Sequence, residues 1–158
     1  MVVRVRARRS GARREARRLR RSLAGMMAQL APGKDLELSV SLVSDEEMTA
    51  LNSEYMGLDE PTDVLSFPLL SREEVEGLDA SGIAPEPVGD IVINLDAAAR
   101  QAGERGLSRR DEVELLAAHG LLHLFGYDHL SPSETAEMAR KERSLLGRSI
   151  IGDGTGED

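Results

Sequence analysis

The chain has 158 residues with no cysteine and no tryptophan, which excludes disulfides and leaves a single core to be built mainly from aliphatic side chains. No apolar run is long enough to span a bilayer and no secretory signal is present, so we expect a cytoplasmic protein. The formal charge of −8 is uneven, because residues 1–22 carry ten arginines and one acid, whereas the other 136 carry ten basic and twenty-seven acidic side chains. A basic end can hold phosphates while the acidic remainder limits non-specific adhesion to nucleic acid.

The first two predicted elements are a strand and a basic helix. Val and Arg alternate from Val2 to Arg6, which predicts a short strand. Apolar residues then recur every three or four positions from Ala12 to Leu30, which predicts a helix that Ser10 caps and Pro32 ends. The opposite face of this helix carries Arg13, Arg14, Arg17, Arg18, Arg20 and Arg21. Charge density alone leaves open whether these arginines form a solvated face or a phosphate-binding surface.

The middle of the chain predicts two strands around one helix. Apolar and polar residues alternate from Leu36 to Val43, which indicates a strand. Ser44 and Glu47 form a capping box that opens a helix, and Gly57 ends it. A second β-like run follows from Val64 to Phe67.

Residues 71–89 are rich in Glu, Gly and Pro without periodicity, and we expect a mobile surface excursion there that could overhang a substrate. The rest of the chain predicts one strand and three helices: Asp90–Asn94, then Leu95–Arg105, about Arg110–Phe125 after a cap at Ser108, and a last helix from Ser131 and Pro132 to about Leu146. These patterns give about four strands and about five helices. Residues 149–158 predict a disordered acidic tail, which leaves residues 1–148 as a single domain.

All three histidines of the chain fall within residues 119–129, with the spacing H-x3-H-x2-G-x2-H. On a helix, His119 and His123 are four residues apart and project from one face. Gly126 can adopt the left-handed conformation that ends a helix and reverses the chain, which allows His129 to return toward the other two. Three converging imidazoles suit Zn²⁺ and leave a fourth position open for water.

Two alternatives to a catalytic metal site remain open. The histidines could each be bound to a backbone carbonyl, or they could hold a structural zinc that an Asp or Glu completes, since the chain has no cysteine. The same spacing occurs in H-E-x-x-H-x-x-G-x-x-H metalloproteases, but here Gly120 replaces the glutamate that acts as general base. Peptide hydrolysis by that route is therefore disfavoured, although metal-activated water remains available.

Three segments carry a resemblance to a known family: HGLLHLFGYDH at 119–129, EPTDVLSFP at 60–68 and GDIVI at 89–93. Together they resemble the YbeY family of bacterial metal-dependent endoribonucleases, from roughly Leu36 to Leu146. The resemblance implies one compact α+β domain with a mixed sheet and one Zn²⁺ per chain. His119, His123 and His129 would bind this ion at the end of the histidine-bearing helix. It also implies a single-strand-preferring endoribonuclease of rRNA maturation and ribosome quality control.

The resemblance also implies partners and a reaction. We expect ribosomal RNA and the ribosomal subunit as partners, ribosomal or GTPase proteins as further candidates, and neither membrane binding nor DNA specificity. The metal would either activate water or withdraw charge from a phosphoryl oxygen. Asp128 could orient a histidine, steer the metal-bound water or cap the turn. The candidate substrate-binding residues are Arg13, Arg14, Arg17, Arg18, Arg109 and Arg110.

One position departs from the family pattern. The residue after the aromatic of an Asn-x-x-Tyr stretch is usually an arginine that faces the cleft, and here Met56 follows Tyr55. Methionine cannot hold a phosphate, so either another arginine replaces it or activity on naked RNA is weak. Two other functions stay open: a zinc metallopeptidase-like hydrolase, and a non-catalytic ribosome-assembly factor with a structural metal.

Overall fold

A computed structural model describes residues 1–7, 12–79 and 84–147. Within these ranges the chain forms four strands and six helices. The strands are β1 Val2–Ala7, β2 Leu36–Val43, β3 Val64–Pro68 and β4 Glu86–Asn94. The helices are α1 Arg13–Leu30, α2 Asp45–Met56, α3 Arg72–Glu76, α4 Leu95–Arg105, α5 Arg109–Leu124 and α6 Pro132–Leu146. The predicted cap at Ser10 and the predicted acidic tail lie outside the described residues.

The strands form one mixed sheet in the order β1-β2-β4-β3. β1, β2 and β4 run parallel, whereas β3 is antiparallel to β4. The alternation in β2 directs its apolar side chains to one face, where they join the main core under α1 and α5: Leu36, Leu38, Val40 and Leu42. The prediction of an α+β domain with a four-stranded mixed sheet is confirmed.

Local capping signals place most of the helix ends. Ser44 and Glu47 make both hydrogen bonds of a capping box, and Gly57 ends α2 in the left-handed conformation. Ser108 accepts a hydrogen bond from the backbone N–H of Asp111 at the start of α5. Ser131 caps α6. These predictions are confirmed because each depends on residues only a few positions apart.

Regular structure occupies both ends of the segment predicted as a surface excursion. Ser71 and Glu74 form a second capping box that opens the short helix α3, and Val75 of this helix is buried. β4 begins at Glu86, four residues before the predicted start, and its first residues pair with β2. The prediction was wrong in these parts, because a five-residue helix is too short to show periodicity. No helix in the described ranges has the length and apolar character needed to cross a membrane.

Candidate metal centre

Helix α5 lies against the sheet and presents the first two histidines. Gly120 permits this close packing, since a Cβ at this position would lie 3.1 Å from side-chain atoms of Ile91 and Val64. The hydroxyl of Ser66 donates a hydrogen bond of 2.8 Å to the Gly120 carbonyl and ties the helix to β3. A side chain at position 120, such as the glutamate of the metalloproteases, would require Ile91 and Val64 to move by a few tenths of an ångström. The glycine therefore suits the close packing of α5 against the sheet.

The structure brings the three imidazoles together. The ring centroids of His119 and His123 are 4.6 Å apart, and those of His123 and His129 are 5.2 Å apart. Gly126 has φ of 92°, the left-handed conformation predicted to reverse the chain after α5. The rings of His119 and His129 are the most widely separated pair, at 6.1 Å. His123 is thus the shared member of the cluster.

The donor atoms fit a divalent metal. The Nε2 atoms of His119 and His123 lie 3.1 Å apart, and two tetrahedral ligands of zinc with Zn–N bonds of about 2.0–2.1 Å would be about 3.3 Å apart. His123, Asp128 and His129 each offer a ligand atom, and these three atoms all lie within 4.8 Å of one another. Imidazole with a carboxylate nearby suits zinc and also other first-row transition metals. Among the described residues the group of three mutually close donor atoms is thus His123, Asp128 and His129, and His119 adjoins it through His123.

Glu142 on α6 holds the ring of His119 from behind. Its Oε1 lies 3.0 Å from Nδ1 of His119, and its side chain is largely buried. A proton on Nδ1 that is donated to this carboxylate leaves the Nε2 lone pair free, as metal binding requires. The sequence analysis missed this residue. A signal was present, because Glu142 shares a helical spacing with the buried Met138 and Leu145 and so places a charge on the apolar face of α6.

The Asp128 carboxylate contacts the backbone of the turn that follows α5. Its Oδ1 accepts a hydrogen bond of 2.7 Å from the backbone N–H of His129, whereas Nδ1 of His129 lies 3.7 Å away, too far for a hydrogen bond. Of the three roles considered for Asp128, capping the turn is confirmed. The bond fixes the backbone that carries His129.

Burial keeps His123 in the form that a metal needs. Removal from water lowers the pKa of the His123 imidazole, and the neighbouring His119 and His129 lower that pKa further. The nearby carboxylate of Asp128 acts in the opposite direction. The net effect favours a neutral imidazole with a free lone pair at neutral pH.

Helix α3 packs over the histidine turn. The guanidinium of Arg72 lies 4.4 Å from the ring centre of Tyr127, a cation–π distance. A Cβ at Gly126 would lie 3.1 Å from Cβ of Arg72, so the turn and α3 are in close contact. On the other side, a cleft of about 260 Å³ opens between the histidines and α6, lined by His119, His129, Thr135, Met138, Ala139 and Glu142.

The six arginines predicted to bind substrate do not form one group. Arg109 is already engaged by Glu15 of α1, with Nε 3.2 Å from the Glu15 carboxylate. Arg110 is exposed at the start of α5. The remaining four lie near the start of α1: Arg13, Arg14, Arg17 and Arg18. Arg109 therefore supports the contact between α1 and α5 in this structure.

Comparison with known proteins decides the family. The sequence matches the family model described as Endoribonuclease YbeY over residues 6–149. The chain belongs to the YbeY family. An Endoribonuclease YbeY from Thermoanaerobacter sp. (strain X514) is 46% identical over 122 residues, which cover 75% of this chain and 77% of that protein. One from Anaeromyxobacter sp. (strain Fw109-5) is 43% identical over 145 residues, 92% of this chain and 70% of that protein.

The fold agrees with this assignment. The solution structure of a Thermotoga maritima protein superposes with a TM-score of 0.60 at 25% identity, covering 99% of this chain and 95% of that chain. The resemblance carried by the histidine run is thereby confirmed. Met56, where the resemblance implies an arginine, is exposed at the end of α2, next to Tyr55, whose ring packs edge-on against Phe67 at 5.3 Å.

Proposed function

We propose that the protein is a metal-dependent endoribonuclease that prefers single-stranded RNA and acts in rRNA maturation and ribosome quality control. The ion is Zn²⁺, one per chain, bound by His119, His123 and His129. The observation that carries the proposal is the 3.1 Å approach of the His119 and His123 Nε2 atoms. It occurs in a chain whose relatives bear the name endoribonuclease.

Each residue of the cluster has a distinct role in this proposal. A bound metal would activate water or withdraw charge from a phosphoryl oxygen as negative charge develops. Glu142 holds His119 in the tautomer that exposes Nε2. Asp128 fixes the turn that carries His129. The cleft of about 260 Å³ beside the histidines provides the space for a scissile phosphate.

The proposed substrate is ribosomal RNA within the ribosomal subunit, in the cytoplasm. Ribosomal or GTPase proteins are the proposed protein partners, and we expect no specificity for DNA. Cationic groups for the RNA come from Arg13 and Arg17 of α1 and from Arg110, all of which are exposed. Arg109 contributes indirectly through its contact with Glu15.

The decisive experiment combines metal content with RNA cleavage for the wild type and His123→Ala. We expect about one metal per wild-type chain and cleavage of single-stranded RNA, with both lost in the variant because two imidazoles hold the ion poorly. Circular dichroism should show the same helix content in both proteins. If a folded, metal-free His123→Ala protein still cleaves RNA, the metal takes no part in the reaction.

One observation favours a second candidate, a non-catalytic assembly factor with a structural metal. The carboxylate of Asp128 lies within ligand distance of His123 and His129 and could complete a closed site. The test is Asp128→Asn. Loss of metal comparable to that of a histidine variant would identify Asp128 as a fourth ligand and favour the structural role. Retained metal with the open position intact would favour catalysis.

A further inference from the structure

Helix α1 carries its arginines in two parallel stripes. Arg13, Arg17 and Arg20 form the first stripe, and Arg14, Arg18 and Arg21 form the second with the same spacing one residue later. One residue corresponds to a rotation of about 100° around the helix. The buried side of α1 is formed by Leu19, Leu23, Met26 and Met27, which places the first stripe at its border and the second on the far side.

Within the described ranges, the first stripe lines a groove. This groove has a volume of about 500 Å³, and its lining residues come from β1 and α1: Val5, Ala7, Arg13, Ala16, Arg17 and Arg20. The strand contributes an apolar floor and the helix contributes three guanidinium groups. β1 is an edge strand of the sheet, so the groove lies at an open border of the fold.

The arginines of the groove lack acidic partners among the residues that the structure describes. Elsewhere in the described ranges, arginines pair with carboxylates: Arg4 with Glu37, Arg100 with Asp45, Arg105 with Glu112 and Arg109 with Glu15. No such pair involves Arg13, Arg17 or Arg20 within the same ranges. Three neighbouring positive charges without counter-ions repel one another and favour an anionic ligand.

We propose that this arginine groove binds the phosphate backbone of single-stranded RNA as an anchoring site separate from the metal centre. From Arg13 to Arg20 the helix rises about 10 Å, which exceeds the size of one phosphate and suits successive phosphates of a strand. Guanidinium forks bind phosphate oxygens in pairs, and the apolar floor can contact sugars or bases. The proposal rests on the proposed function for its choice of RNA over an acidic peptide.

The position of the groove makes it an anchor and excludes it from the cleavage site. β1 and β3 are the opposite edges of the sheet, and Ser66 of β3 contacts α5 beside His119. Three inter-strand steps of about 4.8 Å separate these edges by roughly 14 Å. An RNA strand that reaches both sites must therefore bridge this distance, whereas a dinucleotide can occupy the metal centre alone.

The chain offers a matched control for this proposal. Arg13, Arg17 and Arg20 are changed to Gln in the groove variant, and Arg14, Arg18 and Arg21 are changed to Gln in the control variant. Both variants lose three charges from the same helix, and glutamine keeps the helix propensity. Binding to a 2′-O-methyl oligouridylate of twelve nucleotides, checked on a gel to remain intact during the experiment, is titrated at several salt concentrations with the metal-loaded full chain.

We expect the groove variant to bind at least about tenfold more weakly, with a salt slope reduced by roughly 2, since each lost single-strand contact removes about 0.7. The control variant should change the slope by less than about 1. Equal losses of RNA affinity in both variants, or no loss in either, would contradict the proposal that the groove binds RNA. If oligoglutamate at an equal concentration of charge displaces the RNA, the groove has no preference for RNA over an acidic peptide, and the proposed ligand is wrong.

A cleavage assay separates this proposal from the proposed function. A dinucleotide is too short to reach both sites, so the groove variant should cut it at the wild-type rate with unchanged metal content. A wild-type protein that binds the 2′-O-methyl RNA through the groove and cuts neither the dinucleotide nor an unmodified longer RNA would remove the proposed function and leave the groove in place. A groove variant that cuts the dinucleotide more slowly would overturn the separation of the two sites.

Discussion

Nδ1 of His119 lies 3.0 Å from Oε1 of Glu142, a residue that follows 23 positions later on a different helix. This contact joins α5 to α6 at the metal centre and selects the tautomer of the histidine. The other ring nitrogen of His119, Nε2, lies 3.1 Å from Nε2 of His123. The ring therefore contacts the Glu142 carboxylate on one side and the neighbouring histidine on the other. Helix α6 is therefore part of the metal site although it supplies no proposed ligand.

The first prediction concerns this carboxylate. Glu142→Gln should lower the affinity for Zn²⁺ by about 10- to 100-fold, because the neutral amide binds the His119 N–H less strongly and no longer favours one tautomer. Competition with a chromophoric chelator measures this affinity directly. Glu137→Gln, on the same helix, is the control and should bind zinc like the wild type. Equal affinity in the Glu142 and Glu137 variants would show that the contact does not support the metal.

The second prediction tests whether His129 completes the ligand set. His129→Ala should lose most of the bound metal, because two histidines on one helix turn cannot hold the ion as three do. Metal content after dialysis, measured by atomic emission on folded protein, is the observable. A full equivalent of metal in this variant would limit the protein ligands to His119, His123 and a carboxylate.

Most of the strands and helices could be predicted from local patterns in the sequence. The strand Leu36–Val43 and the helix Leu95–Arg105 were predicted with the bounds that the structure has, because alternation and capping act over a few residues. The start of β4 was missed because Gly89 interrupts the apolar run. A glycine is needed here because φ is 147° and because a Cβ would lie 2.4 Å from the Phe67 carbonyl oxygen. Both properties depend on tertiary packing, which the local sequence does not show.

The metal site was predictable only in part for the same reason. The spacing of the histidines reflects one helix and one turn, and both are visible in the sequence. Glu142 and Arg72 reach the site from other helices, and nothing local in the sequence indicates which helices pack together. The strand order, which places β1 and β3 at opposite edges, also follows from packing that no local pattern records.

The third prediction concerns Met56, where the resemblance to the family implies an arginine. Met56→Arg should raise cleavage of free RNA or tighten RNA binding, since a fork-shaped cation is restored at an exposed position of α2. Met56→Gln is the control, because it has similar length without the charge. Side-by-side cleavage and binding titrations give the answer. An arginine variant that is folded and no better than the glutamine variant would mean that Met56 does not face the substrate.

A buried carboxylate on α5 suggests a test of stability. Glu112 is fully buried, and neither of its carboxylate oxygens has a hydrogen-bond partner within the described part of the chain. The exposed Arg105 is a nearby cation, with its Nη1 3.7 Å from the Glu112 carboxylate. Burial raises the pKa of the Glu112 carboxyl, Arg105 lowers that pKa, and the neighbouring Asp63 and Glu104 raise it again. The folded state therefore favours the protonated form.

The fourth prediction follows from the sign of this shift. Because the folded pKa of Glu112 lies above the unfolded value of about 4.3, its contribution to stability is complete below that pH and is lost as the pH rises through the folded pKa. Glu112→Gln removes the buried charge and should stabilise the protein at pH 7 by about 1 kcal/mol, raising Tm by roughly 2–4 °C. The difference should vanish near pH 4. Melting curves across this range, with the exposed Glu54→Gln on α2 as control, provide the measurement. A Glu112→Gln protein that melts below the wild type at pH 7 would instead show that the pair with Arg105 outweighs the cost of burying the charge.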